Sequence, residues 1–172
     1  MKEIIAIGSD FYGYAQKLYL IDKLRSLGYQ IKDLGCGPHD ETLPFFQPAK
    51  AVAECIIQGK ANKGILICAT GMGIGIVANK FQGIYAAICE TVYAAQMSRK
   101  HDNANVLALG AQITAPEMSF AIVEGWLNTE FMSGFSAHEK VLQKKYIDSL
   151  IAFESELYAS FRDVLSRGPS VL

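Results

Sequence analysis

The chain has 172 residues, 51% hydrophobic and 19% charged, with a formal net charge of -1. This composition suits one well-buried domain, excludes a disordered chain, and provides no basic field for nucleic acid. No apolar run approaches the roughly 20 residues of a membrane span, and MKEIIAIGSD enters an apolar stretch without a basic leader, so a cytoplasmic protein is expected.

In chain order, residues 3–8 (EIIAIG) read as a short buried strand, followed by Ser9-Asp10. A helix is predicted from about Gly13 to Leu27, ended by Gly28 in the left-handed conformation that glycine tolerates. Tyr29 to Leu34 form a second strand, the Gly-, Pro- and Asp-rich segment from Gly35 to Pro48 a loop, and Ala49 to Gln58 a helix. Next comes GILICATGMGIGIVANK, from Gly64 to Lys80. Its Ile65-Leu66-Ile67 run suits a strand buried on both faces, and after the glycines its apolar spacing turns helical.

Gly83 to Cys89 are predicted as a fourth strand, Thr91 to Lys100 as a helix and NVLALG as a fifth strand. Thr114-Ala115-Pro116-Glu117 has the form of a capping box with proline in the first turn, opening a helix that reaches about Leu127. Strands alternating with helices five times predict an α/β fold, a Rossmann-like doubly wound sheet of five parallel strands, with its ligand at their carboxyl ends. Asp10, Cys68, Glu90 and the residues near Gly110 fall there; His101 follows a helix and is not placed by that rule.

The domain is expected over 1–130, with a helical tail over 131–172. From His138 onward, Leu142, Tyr146, Leu150, Phe153, Leu157, Phe161 and Val164 step by three or four, as on one helical face. Lys and Arg (five) balance Asp and Glu (five) over 138–167. Such a stripe must be buried on the domain or on another subunit, and a partner subunit is the favoured reading because the domain already has helices for both faces of its sheet.

The four cysteines, at 36, 55, 68 and 89, have no zinc spacing, and no metal site or disulfide is expected; Cys55 and Cys89 read as core residues. Cys68 alone stands beside a glycine-rich turn. It could simply close a strand. The flanking T-G-x-G-x-G, however, brings a hydroxyl and several amides to the thiol, as an oxyanion hole does. A nucleotide loop is excluded: no Gly-Lys-Ser/Thr follows, and the glycine spacing and strand differ from the dinucleotide pattern. A weak base beside an anion hole is what proton abstraction next to a carbonyl requires. His101, in SRKHDNAN, is either a capping residue or a proton donor near neutral pH, and Asp10 either a helix cap or a ligand.

Taken together, I-G-S-D-x-x-G, G-I-L-I-C-x-T-G-x-G-I-x-I-x-A-N-K and A-x-x-S-R-x-H-x-N-A-N-V-L-x-L-G-A resemble the ribose-5-phosphate isomerase B and galactose-6-phosphate isomerase family over residues 3–130. The resemblance implies a metal-free and cofactor-free aldose–ketose isomerase of a sugar phosphate, a homodimer or homotetramer with sites between subunits. Cys68 then matches the base that moves a proton between C1 and C2 through an enediolate. Thr70 and the amides of Gly71, Met72, Gly73, Ile74 and Gly75 match the enediolate hole. His101 matches the ring-opening residue, acting across the interface, and Asp10 a contact to substrate hydroxyls.

The chain also departs from the family pattern. Phe11 stands where ribose-phosphate members carry His, Gln112 and Phe135 where they carry Arg, and Asp102 where Asn follows the ring-opening His. Phosphate would then be held by His138, Lys140, Lys144 or Lys145, or the substrate differs. Two alternatives follow: the same chemistry on a shorter or non-phosphorylated sugar, or a non-catalytic subunit of a hetero-oligomeric isomerase. Retention of Cys68, Thr70 and His101 together argues against the second.

Overall fold

The computed structural model describes residues 3–166, with side chains through residue 163. It divides into two compact units, Met1–Phe131 and Met132–Leu172. The first alternates β1 (Ile4–Ser9), α1 (Tyr14–Ser26), β2 (Gln30–Asp33), α2 (Phe46–Ile57), β3 (Lys63–Cys68), α3 (Met72–Ala78), β4 (Ala86–Ile88), α4 (Val92–Lys100), β5 (Val106–Gly110) and α5 (Pro116–Leu127). The second carries α6 (Ala137–Ser166).

The five strands form one parallel sheet in the order β2-β1-β3-β5-β4. The apolar runs of β1, β3 and β5 occupy its centre, buried on both faces as the sequence predicted. Ile5, Ile7, Ile65, Ile67, Leu107 and Leu109 pack with α1, α4 and α5. Ala6, Leu66, Cys68, Val106 and Ala108 pack with α2 and α3. Gly28 ends the first helix with φ 86°.

Three local expectations change. The second helix starts at Phe46, not Ala49, because Pro48 fits a first turn whose amides need no helical partner. The fourth strand shrinks to Ala86–Ile88, because asparagine side chains take over its leading backbone groups: Asn105 Oδ1 accepts from Tyr85 N–H, Asn105 Nδ2 donates to Gly83 O, and Asn79 bonds both N–H and C=O of Ala86. The capping box at Thr114 does not form. Its hydroxyl bonds Gly110 O and Ser119 Oγ, and Ala115 is the N-cap without a side-chain bond.

In the second unit, Ser136 and Glu139 cap α6 reciprocally. Leu142, Tyr146, Leu150, Phe153, Leu157 and Phe161 are exposed along it, and Val164 lies beyond the described side chains. No helix among the described residues is long and apolar enough to cross a membrane.

Candidate functional site

Cys68 is the last residue of β3 and pairs in register with Gly110, the last of β5. Its position in the strand alternation turns the thiol to the α2/α3 face, where it is buried. There Gly71 N–H donates to Cys68 Sγ at 3.1 Å. The turn that brings this amide round needs Gly71 at φ 79°, a left-handed conformation, and a Cβ there would stand 2.9 Å from the Leu109 carbonyl carbon. Thr70 Oγ1 accepts from Met72 N–H at 3.4 Å, and Gly73, Ile74 and Gly75 continue into the first turn of α3. With only seven residues in α3, what it offers an anion is local amides, not a long helix dipole.

The other loops at this edge lock onto the same turn. Ala111 N–H donates to Cys68 O and Gln112 N–H to Ala69 O, each at 2.9 Å. Asp10 leaves the end of β1 and accepts from Gly13 N–H at 3.1 Å, closing the turn before α1, whereas the helix N-cap itself is Gly13 without a side-chain bond. Gly13 lies so close to β3 that a Cβ would stand 2.6 Å from Ile67 O, which sets Asp10 beside the terminus of β3. Burial pushes the Asp10 carboxyl above its ordinary range, and the amides of Gly13 and Tyr12 pull it partly back. Phe11 is exposed in this loop, edge-on to Tyr12.

His101 and Asp102 lie elsewhere. His101 is the C-cap of α4, and both residues are exposed in the turn that leads into the start of β5. Asp102 lines an open cavity of about 280 Å³ with Asn79, Tyr85 and Ala104. This is the amino-terminal edge of the sheet. Within one chain, therefore, Asp10, Phe11, Cys68, Thr70, Gly71–Gly75 and Gln112 gather at one edge, and His101 and Asp102 stand at the other. Phe135, His138, Lys140, Lys144 and Lys145 belong to the second unit.

Two neighbours of the thiol turn were missed in the sequence. Phe45, the N-cap of α2, lays its ring on the turn, 3.1 Å from where a Gly73 Cβ would be. Nothing local signals a contact between a loop phenylalanine and a glycine so distant in sequence. Beside Ser9, the buried Lys17 Nζ donates to Asp33 Oδ1 and Cys36 O, each at 2.7 Å, and Ser9 Oγ bonds Cys36 Sγ at 3.6 Å. Burial pushes the Cys36 thiol up, against the Ser9 hydroxyl and the Lys17 charge. Among the described residues, no three His, Cys, Asp or Glu side chains group closely enough to hold a metal ion.

The sequence model of the family described as Ribose/Galactose Isomerase matches residues 5–144. A D-erythrulose-4-phosphate isomerase of Pectobacterium atrosepticum is 42% identical over 133 residues, 77% of this chain and 88% of its own. A 4-deoxy-4-sulfo-D-erythrose isomerase of a Clostridium species is 36% identical over 154 residues, 90% of this chain and 97% of its own. Among solved structures, a Clostridium thermocellum ribose-5-phosphate isomerase B superposes with a TM-score of 0.80 at 36% identity, covering 90% of this chain and 99% of that one.

Proposed function

This chain belongs to the ribose/galactose isomerase family and is an aldose–ketose isomerase of a sugar phosphate, and on that premise we propose that Cys68 is the base that carries the proton. The observation behind this reading is the bond from Gly71 N–H to Cys68 Sγ, which places a thiol inside a turn of convergent amides. The Cys68 sulfur is the acceptor of the proton. It takes the C2 proton of the open-chain aldose, and electrons move onto the C1 oxygen. Thr70 and the amides from Gly71 to Gly75 hold the resulting enediolate. Return of the proton to C1, with transfer of the O2 hydroxyl proton to O1, gives the ketose. Asp10 orients substrate hydroxyls. His101 and Asp102 come from a second copy of the chain, His101 handling the hydroxyl and ring-oxygen protons, so the working form is a homodimer or a homotetramer of such dimers.

A four-carbon substrate is the second reading, favoured by specific residues. Phe11 and Gln112 leave the thiol edge without the basic side chains expected there, and Phe45 roofs part of the turn. Two relatives act, by their names, on four-carbon sugars, one carrying a sulfonate. A sulfonate or phosphate closer to the reacting carbons would be reached by the loop amides.

The test is Cys68→Ala, followed by solvent proton exchange at C2 for ribose 5-phosphate, erythrose 4-phosphate and 4-deoxy-4-sulfo-erythrose. Loss of a general base predicts a fall of about 10²–10⁴-fold with the best of these. Exchange at the wild-type rate would show that another group is the base, and a clear preference for ribose 5-phosphate would remove the four-carbon reading.

A further inference from the structure

Arg99 lies in the last turn of α4 and is 9% exposed. Among the described residues no carboxylate pairs with it. Its Nη1 instead donates to Ala104 O at 2.6 Å and to Asn103 Oδ1 at 3.0 Å. The guanidinium carbon sits 5.7 Å from the centre of the Trp126 ring, and Nε is buried with no hydrogen-bond partner. Burial pulls the Arg99 pKa below its ordinary value, against the opposing field of the Glu3 carboxylate. Holding a cation in the protein this way is expensive, and an apolar side chain would fill the space without that penalty.

The turn it grips already has backbone bonds. Asn103 takes φ 51°, Asn103 N–H donates to Arg99 O at 3.2 Å, and Ala104 N–H to Ser98 O at 3.0 Å. Those bonds close the helix. The outer residues are tied to the helix as well, His101 N–H to Met97 O at 2.9 Å and Asp102 N–H to Ser98 O at 3.3 Å, while Arg99 holds the inner side of the turn. That hold comes from Nη1, which donates to both acceptors, and from the guanidinium plane over Trp126, which a lysine ammonium would lack.

We propose that Arg99 is a positioning residue of the isomerase, gripping Asn103 and Ala104 from inside the turn and so fixing how His101 and Asp102 are presented to substrate. The proposal rests on the reading that His101 acts on the substrate.

A double-mutant cycle on the full chain tests it, with Arg99→Met, His101→Ala and the pair. Turnover is measured with whichever of ribose 5-phosphate and erythrose 4-phosphate the wild type converts faster. Arg99→Met is expected to lower kcat on the order of tenfold through misplacement of the histidine, with KM within about twofold. Added to His101→Ala, it should change kcat by less than about twofold, since the residue it positions is gone. The full factor appearing again in that background, or a folded Arg99→Met with wild-type kcat, overturns the proposal. A His101→Ala variant with wild-type kcat instead overturns the reading of His101. Should Arg99→Met not fold, Asn103→Gly decides: it keeps the left-handed turn and removes one acceptor. A fall of roughly threefold in kcat that vanishes in the His101→Ala background supports the proposal, and unchanged kcat overturns it.

Discussion

Cys68 and His101 stand at opposite edges of one parallel sheet. Cys68 ends β3 in register with Gly110, whereas His101 caps the helix that leads into the start of β5. The length of β5 alone separates the two edges by roughly 13 Å. An acid and a base serving one small sugar must both come within hydrogen-bond reach of it. Under the proposed mechanism the two therefore come from two copies of the chain.

Complementation follows from that separation. Cys68→Ala and His101→Ala are each expected to be nearly inactive. Refolded together in equal amounts, half of the dimers are mixed, and each mixed dimer has one intact site, so about a quarter of wild-type activity returns. Mixtures that stay inactive, although both variants fold and exchange subunits, would place the working histidine within the same chain.

Gly71 gives a second prediction, with an internal control. Gly71→Ala forces a side chain into φ 79° and 2.9 Å from the Leu109 carbonyl carbon, whereas Gly83→Ala meets a similar φ of 81° in open space. Both variants bear left-handed strain of about 1–2 kcal/mol. Gly71→Ala adds the clash, and is expected to lose about 3 kcal/mol of stability. It also displaces the amide that bonds Cys68 Sγ, so kcat should fall in this variant and not in Gly83→Ala. Urea unfolding and steady-state kinetics on both variants check the pair.

The sequence made the sheet legible because its signals are local. Ile65-Leu66-Ile67 has to be buried on both sides, and Gly28 has to end a helix. The thiol turn was legible for the same reason, being contiguous from Cys68 to Gly75. Contacts made only by tertiary structure were not. Asn79 and Asn105 shorten β4 from different elements, and Ser119 draws the Thr114 hydroxyl away from the helix end it was expected to cap. Helical periodicity puts Lys17 on the same face as Leu20, Ile21 and Leu24, but nothing local shows that Asp33 and the Cys36 carbonyl satisfy its charge there. The edge on which His101 lies follows from β5 running parallel to β3, because a residue just before a parallel strand lies at the amino-terminal edge.

Asp10 predicts a pH dependence. Its pKa in the fold is raised above 3.8, chiefly by burial. The folded chain thus keeps a proton that the unfolded chain releases, and this contribution to stability is complete below pH 3.8 and lost as pH rises through the folded value. At neutral pH the ionised carboxylate is a burden. Asp10→Asn retains an Oδ1 to accept from Gly13 N–H and removes the titration. It is expected to melt higher than wild type at neutral pH, with the advantage disappearing as pH falls to 3.8 and below, while activity drops through the lost contact to substrate hydroxyls. Melting curves of both proteins across that range check the sign; an advantage that grew toward acid would mean that burial is not the dominant influence.

Lys17 and Asp33 should differ in what their removal does. The lysine side chain is 1% exposed and the aspartate 36%, with 2.7 Å between Nζ and Oδ1. Asp33→Ala leaves an ammonium buried with the Cys36 carbonyl and the face of Tyr14 for company. The expected loss is about 3 kcal/mol, at the low end for a broken buried pair because the lost carboxylate was partly hydrated. Lys17→Met fills the same space with an apolar chain and leaves Asp33 free to turn to water, so a loss of about 1 kcal/mol is expected, mostly from the unmet Cys36 carbonyl. Urea unfolding of the two variants at one pH decides between this asymmetry and a symmetrical pair. Equal losses would mean that the ammonium finds water when its partner goes, and that the seal over Ser9 and Cys36 is looser than the side-chain burial implies.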